Sequence, residues 1–283
     1  MELGNLDDLP KYSPWPKRLL GLEPYLAKEK TPQEIEREFG REKWGALLER
    51  FQKNPEATLA DVDKWAAGST GLSPTTVGEH LVLMTPEESH NAYIAYIADA
   101  LEKHLPAAAL VELGCGYGSV INALGLRPEF GGLDLHAADF TRTGPDLAAR
   151  IAENEGLTLR TGHCDFTSSE LTDLDVPPGA IIYTAYAAQY VDELGPHFIE
   201  GLIALEPRVV VHIEPVYEHS GGPTLLGLLR QSYIQANGYN RNLSTILHDH
   251  EALGSLEILE ETAPAFGPNP LLAASVIAWK PRR

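Results

Sequence analysis

The sequence is poor in cysteine, with only Cys115 and Cys164 among 283 residues. Two cysteines cannot form a disulfide framework, and their separation excludes the CxxC spacing of zinc and redox sites. The composition therefore excludes the class of small, disulfide-stabilised secreted proteins. It predicts reduced thiols, as in a cytoplasmic protein.

Positive charge is also scarce. Lysine and arginine number 22 against 40 aspartate and glutamate residues, which gives a formal net charge of −18. Such a charge repels a phosphate backbone unless the basic residues are segregated. The two basic clusters, 17–18 and 280–283, are short and lie near the chain ends. We therefore expect no nucleic-acid partner.

Long hydrophobic runs are absent as well. No stretch reaches the roughly 18 apolar residues that a membrane helix needs, and the first ten residues, MELGNLDDLP, lack the pattern of a signal peptide. We expect no membrane partner and a cytoplasmic location.

The apolar residues that are present predict an α/β protein. Strands that alternate with helical patterns indicate a doubly wound (Rossmann-like), mostly parallel sheet with both faces covered. A Pro/Gly-rich link at 262–270 joins the last two strands, which suits a closing antiparallel pair. The predicted strands are 108–113, 130–135, 157–162, 179–184, 208–213, 256–261 and 271–279.

The first quarter of the chain has a different pattern. Helical periodicity runs from Leu19 to about Gly68, and 68–78, GSTGLSPTTVG, has the composition of a connector. We therefore divide the chain into a helical N-terminal extension, 1–78, and a main domain, 79–283. Thr85 and Pro86 then begin a strong amphipathic helix over 85–105.

The segment ALVELGCGYGSVINALG, 109–125, has glycines at 114, 116 and 118 between a predicted strand and a predicted helix. A strand-to-helix turn of this kind lies at the carboxyl edge of a parallel sheet, where ligands bind. An acid that holds ribose hydroxyls is expected about 20 residues further on. Asp134 has this spacing. The pattern predicts a nucleoside cofactor, and Ser119 in place of the third glycine of G-x-G-x-x-G argues against NAD.

The run from Glu112 to Gly118 resembles the first motif of class I S-adenosylmethionine-dependent methyltransferases. The resemblance covers about 85–281 and implies a seven-stranded sheet with a reversed last strand. It also implies S-adenosylmethionine as the cofactor, with Glu112 near its methionine end, Asp134 at the ribose, and Asp165 and Phe166 around the adenine. The cofactor-binding residues that it implies are Glu112, Gly114, Gly116, Gly118, Asp134, Leu135, Asp165 and Phe166.

Candidates for the chemistry follow the fourth and fifth strands of the sheet. Methyl transfer is an in-line displacement, so the protein must position the acceptor and, for a hydroxyl or ammonium, remove a proton. Glu214 at the end of VHIE is the first candidate, and Tyr186 and Gln189 follow the fourth strand. His212 is interpreted as a buried core histidine.

His248 and His250 flank Asp249 in a predicted helix. Their rings point about 200° apart, so the two histidines cannot bind one metal ion. We therefore assign no metal site. One of these histidines could join Glu214 or Glu218 across the crevice, where Mg²⁺ would need such carboxylates and is left open but not favoured. His250 is also a candidate catalytic residue.

These features predict a methyltransferase that modifies oxygen or nitrogen of a small molecule or peptide, in specialised (natural product) or cell-envelope metabolism. The extension is expected to act as a lid or to contact the substrate or a second subunit, and a homodimer is left open. Glu214 and Glu218 slightly favour a cationic substrate. The alternative is a catalytically idle member of the fold that serves as a scaffold or partner-binding protein.

Overall fold

The computed structural model describes residues 2–26 and 30–282. Its first part is mainly helical, as predicted, and Thr31 and Thr58 accept the backbone N–H bonds that begin two of these helices. The prediction of helix is wrong for 20–26, and 27–29 lie outside the described residues. The elements are β1 (Glu2–Leu3), a 3-10 turn (Leu6–Asp8), α1 (Leu9–Tyr12), α2 (Trp15–Leu19), α3 (Pro32–Ile35), a π-helix (Glu36–Gly45), α4 (Ala46–Lys53) and α5 (Leu59–Ala67).

The prediction of a connector at 68–78 is wrong for 73–77. Residues Ser73–Val77 form strand β2, which pairs with β3 (His80–Met84) through a two-residue turn. Gly78 has φ +58° at the first turn position, where a tight hairpin favours glycine. These strands belong to a small antiparallel sheet in the order β1-β3-β2-β10, where β10 is Phe266–Gly267. The small sheet therefore brings together β1, near the start of the chain, and β10, from its C-terminal part.

The predicted helix at 85–105 is confirmed as α6 (Pro86–Glu102). Thr85 and Glu88 form a reciprocal capping box that satisfies the first backbone N–H groups of the helix. The other helices are α7 (Ser119–Gly125), α8 (Thr143–Asn154), α9 (Pro196–Ala204), α10 (Tyr217–Ser220), α11 (Leu225–Ala236) and α12 (Leu243–Ala252), with a 3-10 turn at Ala188–Tyr190.

The main sheet has seven strands in the order β6-β5-β4-β7-β8-β11-β9. Strands β4 to β8 pair in parallel, whereas β11 lies antiparallel between β8 and β9. The predicted doubly wound, mostly parallel sheet of seven strands is confirmed. The strands are β4 (Ala109–Leu113), β5 (Asp134–Asp139), β6 (Leu159–His163), β7 (Ile181–Ala185), β8 (Val209–Glu214), β9 (Leu256–Glu261) and β11 (Ser275–Pro281).

Two apolar clusters cover the two faces of this sheet, as a doubly wound sheet requires. A third apolar cluster lies between the extension and helix α8, where Phe51 and Val62 pack with Leu147 and Ile151. The helices of the extension therefore lie on the main sheet's own helices. The division into 1–78 and 79–283 stays a prediction.

Candidate active site

Three glycines form the turn between β4 and α7. Gly114, Gly116 and Gly118 have φ values of +84°, +53° and +78°, a region that side chains with a Cβ rarely adopt. A Cβ at Gly114 would lie 2.2 Å from the Cβ of Ala187, and one at Gly118 would lie 2.3 Å from that of Ala148. Glycine is therefore required at these two positions by backbone conformation and by packing.

Glu112 is hydrogen-bonded to the helix that follows this turn. Its side chain is buried, and Oε2 accepts the backbone N–H of Ile121 in the first turn of α7 at 3.0 Å. Burial raises the pKa of Glu112 to about 8, against the lowering effects of Tyr183 and the Ile121 N–H. Glu112 also lines the large cavity above the turn, so its carboxyl group can respond to a ligand bound there.

The sequence predicted that Asp134 lies at the carboxyl end of its strand, beside the ribose, and this position is wrong. Asp134 is the first residue of β5, and its 62% exposed side chain lies 3.5 Å from Arg160 at the opposite edge of the sheet. The predicted strand began too early, because Gly132, with φ +92°, lies in a turn. Leu135, the second residue of β5, is buried in the core beneath the site and does not line the cavity.

Asp139 stands where Asp134 was expected, at the carboxyl end of β5. Its carboxylate accepts the N–H of Gly116 at 2.9 Å, and the N–H and hydroxyl of Thr141 at 2.8 and 2.7 Å. Burial raises the pKa of Asp139, while these hydrogen bonds lower it. The acid at this end of β5 is thus hydrogen-bonded directly to the glycine turn.

Asp165 and Phe166 follow β6 and line the same cavity. Asp165 accepts the N–H and the hydroxyl of Thr167 at 2.8 and 2.6 Å, which fixes its side chain at the cavity wall. Phe166 packs against Phe198, with ring centroids 5.1 Å apart. Their contact with adenine stays a prediction.

The cavity has a volume of about 950 Å³, near the upper end of the range for small-ligand sites. The extension forms one wall with Ile35, Phe39 and Trp44, and α6 contributes His90 and Tyr93. Trp44 lies over the glycine turn, since a Cβ at Gly116 would be 3.0 Å from its ring. The N-terminal region therefore forms one wall of the site.

A polar cluster that the sequence did not reveal ties the extension to the glycine turn. Asp63 of α5 accepts the hydroxyls of Tyr117 at 2.9 Å and Ser119 at 2.7 Å, and it lies 3.2 Å from Nε2 of His90. His90 Nε2 also lies 3.1 Å from the Ser119 hydroxyl. These residues come from three separate helices and the turn, so no local sequence pattern could have identified them.

Two of the three predicted catalytic residues do not reach the cavity. Glu214 lies at the end of β8 and accepts the backbone N–H groups of Ala187 and Ala188 at 2.9 and 3.0 Å, beneath the loop that follows β7. His250 lies on α12, where Nδ1 is 3.0 Å from the Ser255 hydroxyl. Neither side chain lines the cavity, so a direct catalytic role for Glu214 or His250 has no support from the geometry and stays a prediction.

Tyr186 does line the cavity, but its hydroxyl is already engaged. It donates to the carbonyl of Leu272 at 2.7 Å, and burial raises the pKa of the phenol well above its usual range. The residue has φ +54°, which is unusual for a tyrosine. Tyr186 thus forms part of the wall and is a poor candidate for a proton acceptor.

His212 is a buried core histidine, as interpreted from the sequence. The indole of Trp279 donates to Nε2 at 3.1 Å, so Nδ1 carries the ring proton and donates to the Thr184 hydroxyl at 3.0 Å. Burial lowers the pKa of His212 to about 3. The ring is neutral and takes no part in the site.

The reversed strand β11 lies between β8 and β9, two strands that run with the rest of the sheet. The sequence resemblance implies a reversed last strand, and the glycine turn follows β4 as that resemblance requires. The sheet is the seven-stranded, mostly parallel Rossmann-like sheet that the resemblance to class I S-adenosylmethionine-dependent methyltransferases implies.

No family model and no curated protein sequence matches the chain. Solved structures to which the chain is similar include a small RNA methyltransferase, at 15% identity and a TM-score of 0.49, over 68% of this chain and 25% of that one. A methyltransferase from Clostridium acetobutylicum matches at 12% identity and 0.46, over 68% and 91%. A plantazolicin methyltransferase in complex with a desmethyl analogue and S-adenosylhomocysteine matches at 13% and 0.43, over 69% and 86%.

Two kinds of feature are absent from residues 2–26 and 30–282. No group of three or more His, Cys, Asp or Glu side chains is arranged to hold a metal ion there. Over the same residues, no helix has both the length and the apolar character needed to cross a membrane.

Proposed function

We propose that this protein is an S-adenosylmethionine-dependent methyltransferase that modifies nitrogen or oxygen of a small molecule or peptide. The observation that carries the proposal is the convergence of Glu112, the glycine turn, Asp139 and Asp165 on one cavity. At its three glycines the turn presents only backbone atoms to a ligand. Asp139 and Asp165 lie beside the turn, at the ends of the parallel strands β5 and β6. This donor and acceptor set suits a nucleoside with ribose hydroxyls.

Within this proposal, Asp139 replaces Asp134 at the ribose hydroxyls, and Asp165 and Phe166 flank the adenine. Glu112 and the glycine turn lie at the methionine end. When bound, S-adenosylmethionine supplies a methyl group activated by its sulfonium. The chain's own residues hold the reactants in line and exclude water, and Trp44 and Phe39 of the extension cover the site for this purpose.

The size and the aromatic lining of the cavity support a small molecule or a peptide as the substrate. Rings of Phe39, Trp44, Tyr93 and Tyr190 line the cavity, so an apolar or aromatic body can be buried there. The earlier preference for a cationic substrate loses its basis, because Glu214 and Glu218 do not line the cavity. The extension as a lid, and natural product metabolism as the context, are proposals that rest on the extension's contribution to the cavity wall and on the size of the cavity.

Asp139→Ala should weaken binding of S-adenosylhomocysteine by about tenfold or more, because a charge-assisted hydrogen bond is worth about 1.5–3 kcal/mol. Asp134→Ala is the matched control, since it removes a carboxylate from the other end of β5 and should leave affinity unchanged. Isothermal titration calorimetry measures both, with the melting temperature as the test of folding.

The same titration tests the proposed function itself. Failure of the unmodified protein to bind either S-adenosylmethionine or S-adenosylhomocysteine would refute the methyltransferase and leave the scaffold alternative. A loss of affinity in Asp134→Ala with none in Asp139→Ala would restore the original assignment. Activity is then sought by mass spectrometry, as the transfer of labelled methyl from the cofactor to compounds of a cell extract.

A further inference from the structure

Trp44 of the extension has a side-chain donor that the described chain does not use. Its indole lines the cavity. Within residues 2–26 and 30–282, the only indole N–H that donates a hydrogen bond is that of Trp279, in the core. Nε1 of Trp44 is also not among the fully buried atoms that lack a partner. The N–H of Trp44 is therefore both unpaired and accessible to a ligand.

This N–H lies on the edge of the indole that faces the glycine turn. A Cβ at Gly116 would lie 3.0 Å from Cζ2 and 3.4 Å from Cε2 of Trp44. Cε2 is bonded directly to Nε1, so the donor belongs to the same edge of the ring. The ring centroid of Trp44 is 5.2 Å from that of Tyr117 and 5.8 Å from that of Phe39. These contacts hold the donor beside the turn.

The π-helix Glu36–Gly45 explains how the extension presents this ring. In an α-helix, side chains five residues apart point about 140° away from each other. The i→i+5 bonds of a π-helix instead place such residues one turn apart, on the same side. Phe39 and Trp44 are five residues apart, and both line the cavity. The π-helix therefore directs both rings toward the site.

The glycine turn has few donors of its own left for a ligand. The hydroxyls of Tyr117 and Ser119 donate to Asp63, at 2.9 and 2.7 Å. Four backbone N–H groups of the turn also have acceptors within the protein, namely those of Gly114, Cys115, Gly116 and Gly118. A ligand group beside the turn that needs a donor must find it elsewhere, and Nε1 of Trp44 is placed to provide it.

We infer that the indole N–H of Trp44 donates a hydrogen bond to the carboxylate of bound S-adenosylmethionine. This inference rests on the proposed function, in which the methionine end of the cofactor lies at the glycine turn. That end carries an ammonium and a carboxylate, and an N–H donor can pair only with the carboxylate. Among the described residues that line the cavity, the only lysine or arginine is Lys30, which lies over the rings of Tyr190 and Tyr239. The extension is then part of the cofactor site.

S-adenosylmethionine and its decarboxylated form test this inference, because the two ligands differ only in the carboxylate. Calorimetry compares both ligands with the unmodified protein, Trp44→Phe and Trp65→Phe. Trp44→Phe keeps a ring at the turn and removes the N–H. Trp65→Phe is the matched control, since Trp65 of α5 packs against Arg50 and does not line the cavity. The melting temperature of each variant tests its folding.

We expect Trp44→Phe to bind S-adenosylmethionine about tenfold or more weakly, because it loses a hydrogen bond to a charged group. Its affinity for the decarboxylated form should change little, and Trp65→Phe should bind both ligands as the unmodified protein does. Equal losses for the two ligands would show that Trp44 only covers the turn, and unchanged affinity for both would show that it does not bind the cofactor. Either result would overturn the inference. Failure of the unmodified protein to bind S-adenosylmethionine would instead overturn the proposed function.

Nuclear magnetic resonance gives a second test that does not depend on the affinity of a variant. In protein with isotope-labelled tryptophan indoles, the N–H signal of Trp44 is the one that Trp44→Phe removes. S-adenosylhomocysteine should shift this proton signal strongly downfield, because a hydrogen bond to a carboxylate is short and strong. Methylthioadenosine lacks the amino-acid part and should not. Equal shifts with the two ligands would overturn the inference.

Discussion

Gly114→Ala should abolish S-adenosylhomocysteine binding and lower the free energy of unfolding by several kcal/mol. A side chain at φ +84° costs about 1–2 kcal/mol, and the added methyl would lie 2.2 Å from the Cβ of Ala187. Overpacking typically adds about 1–3 kcal/mol. Ala187 cannot move away freely, because Glu214 binds its N–H. The turn must therefore shift, and it forms the floor of the cavity.

Gly132→Ala is the matched control for backbone strain. Gly132 has φ +92°, and a Cβ there would have nothing within 4 Å. It should lose about 1–2 kcal/mol of stability and keep its affinity for the ligand. Urea denaturation and calorimetry measure the two effects. Unchanged binding by Gly114→Ala would show that the ligand does not depend on this turn.

The sequence predicted the glycine turn of the site better than the acid and the other residues that surround the cavity. Glycine spacing is a local signal, because each glycine is required by its own backbone angle, and all three have positive φ. The ribose acid depended on where β5 begins, and the prediction placed that strand several residues too early. Asp134 and Asp139 both lie in β5, so a shift along one strand moved the assignment from one edge of the sheet to the other.

The missed features depend on contacts between distant parts of the chain. Strand β2 has the composition of a loop, and it is held in a sheet that includes β10 from the other end of the sequence. Asp63 meets Tyr117 and Ser119 across more than fifty residues. Glu214 was correctly placed at a strand end, but only the structure shows that the loop after β7 crosses above it.

Glu214→Ala should destabilise the fold by about 3 kcal/mol or more. It removes the acceptor of the N–H groups of Ala187 and Ala188, and each unsatisfied buried group costs about 1–3 kcal/mol. Glu218→Ala is the control, since this exposed glutamate accepts only the N–H and hydroxyl of Thr245, and its loss should cost about 1 kcal/mol or less. Equal stability of the two variants in urea denaturation would contradict the role of Glu214.

Glu214→Gln should keep most of the stability, because both strong bonds of the carboxylate are to Oε1, and a carboxamide retains one oxygen. The variant also separates support of the loop from catalysis. With no contact to the cavity, Glu214→Gln should keep its affinity for S-adenosylhomocysteine. A large loss of methyl transfer with unchanged stability would return Glu214 to a direct role in the reaction.

The pH dependence of stability should differ between the unmodified protein and Glu214→Gln. Burial raises the pKa of Glu214 from 4.5 to about 7, against the lowering effect of the N–H bonds. Between these values the unfolded chain loses the proton and the folded chain keeps it, so stability falls as the pH rises from about 4.5 through 7. The loss is about 3 kcal/mol, from a pKa difference worth about 1.4 kcal/mol per unit.

Glutamine does not titrate, so Glu214→Gln should lack this loss, and the contributions of other groups, such as Glu112, cancel in the comparison. Urea denaturation of both proteins at pH 5 and pH 8 measures the difference. We expect the unmodified protein to lose stability relative to the variant at pH 8. A constant difference between the two pH values would show that Glu214 keeps an ordinary pKa. Its hydrogen bonds to the loop would then offset the whole cost of its burial.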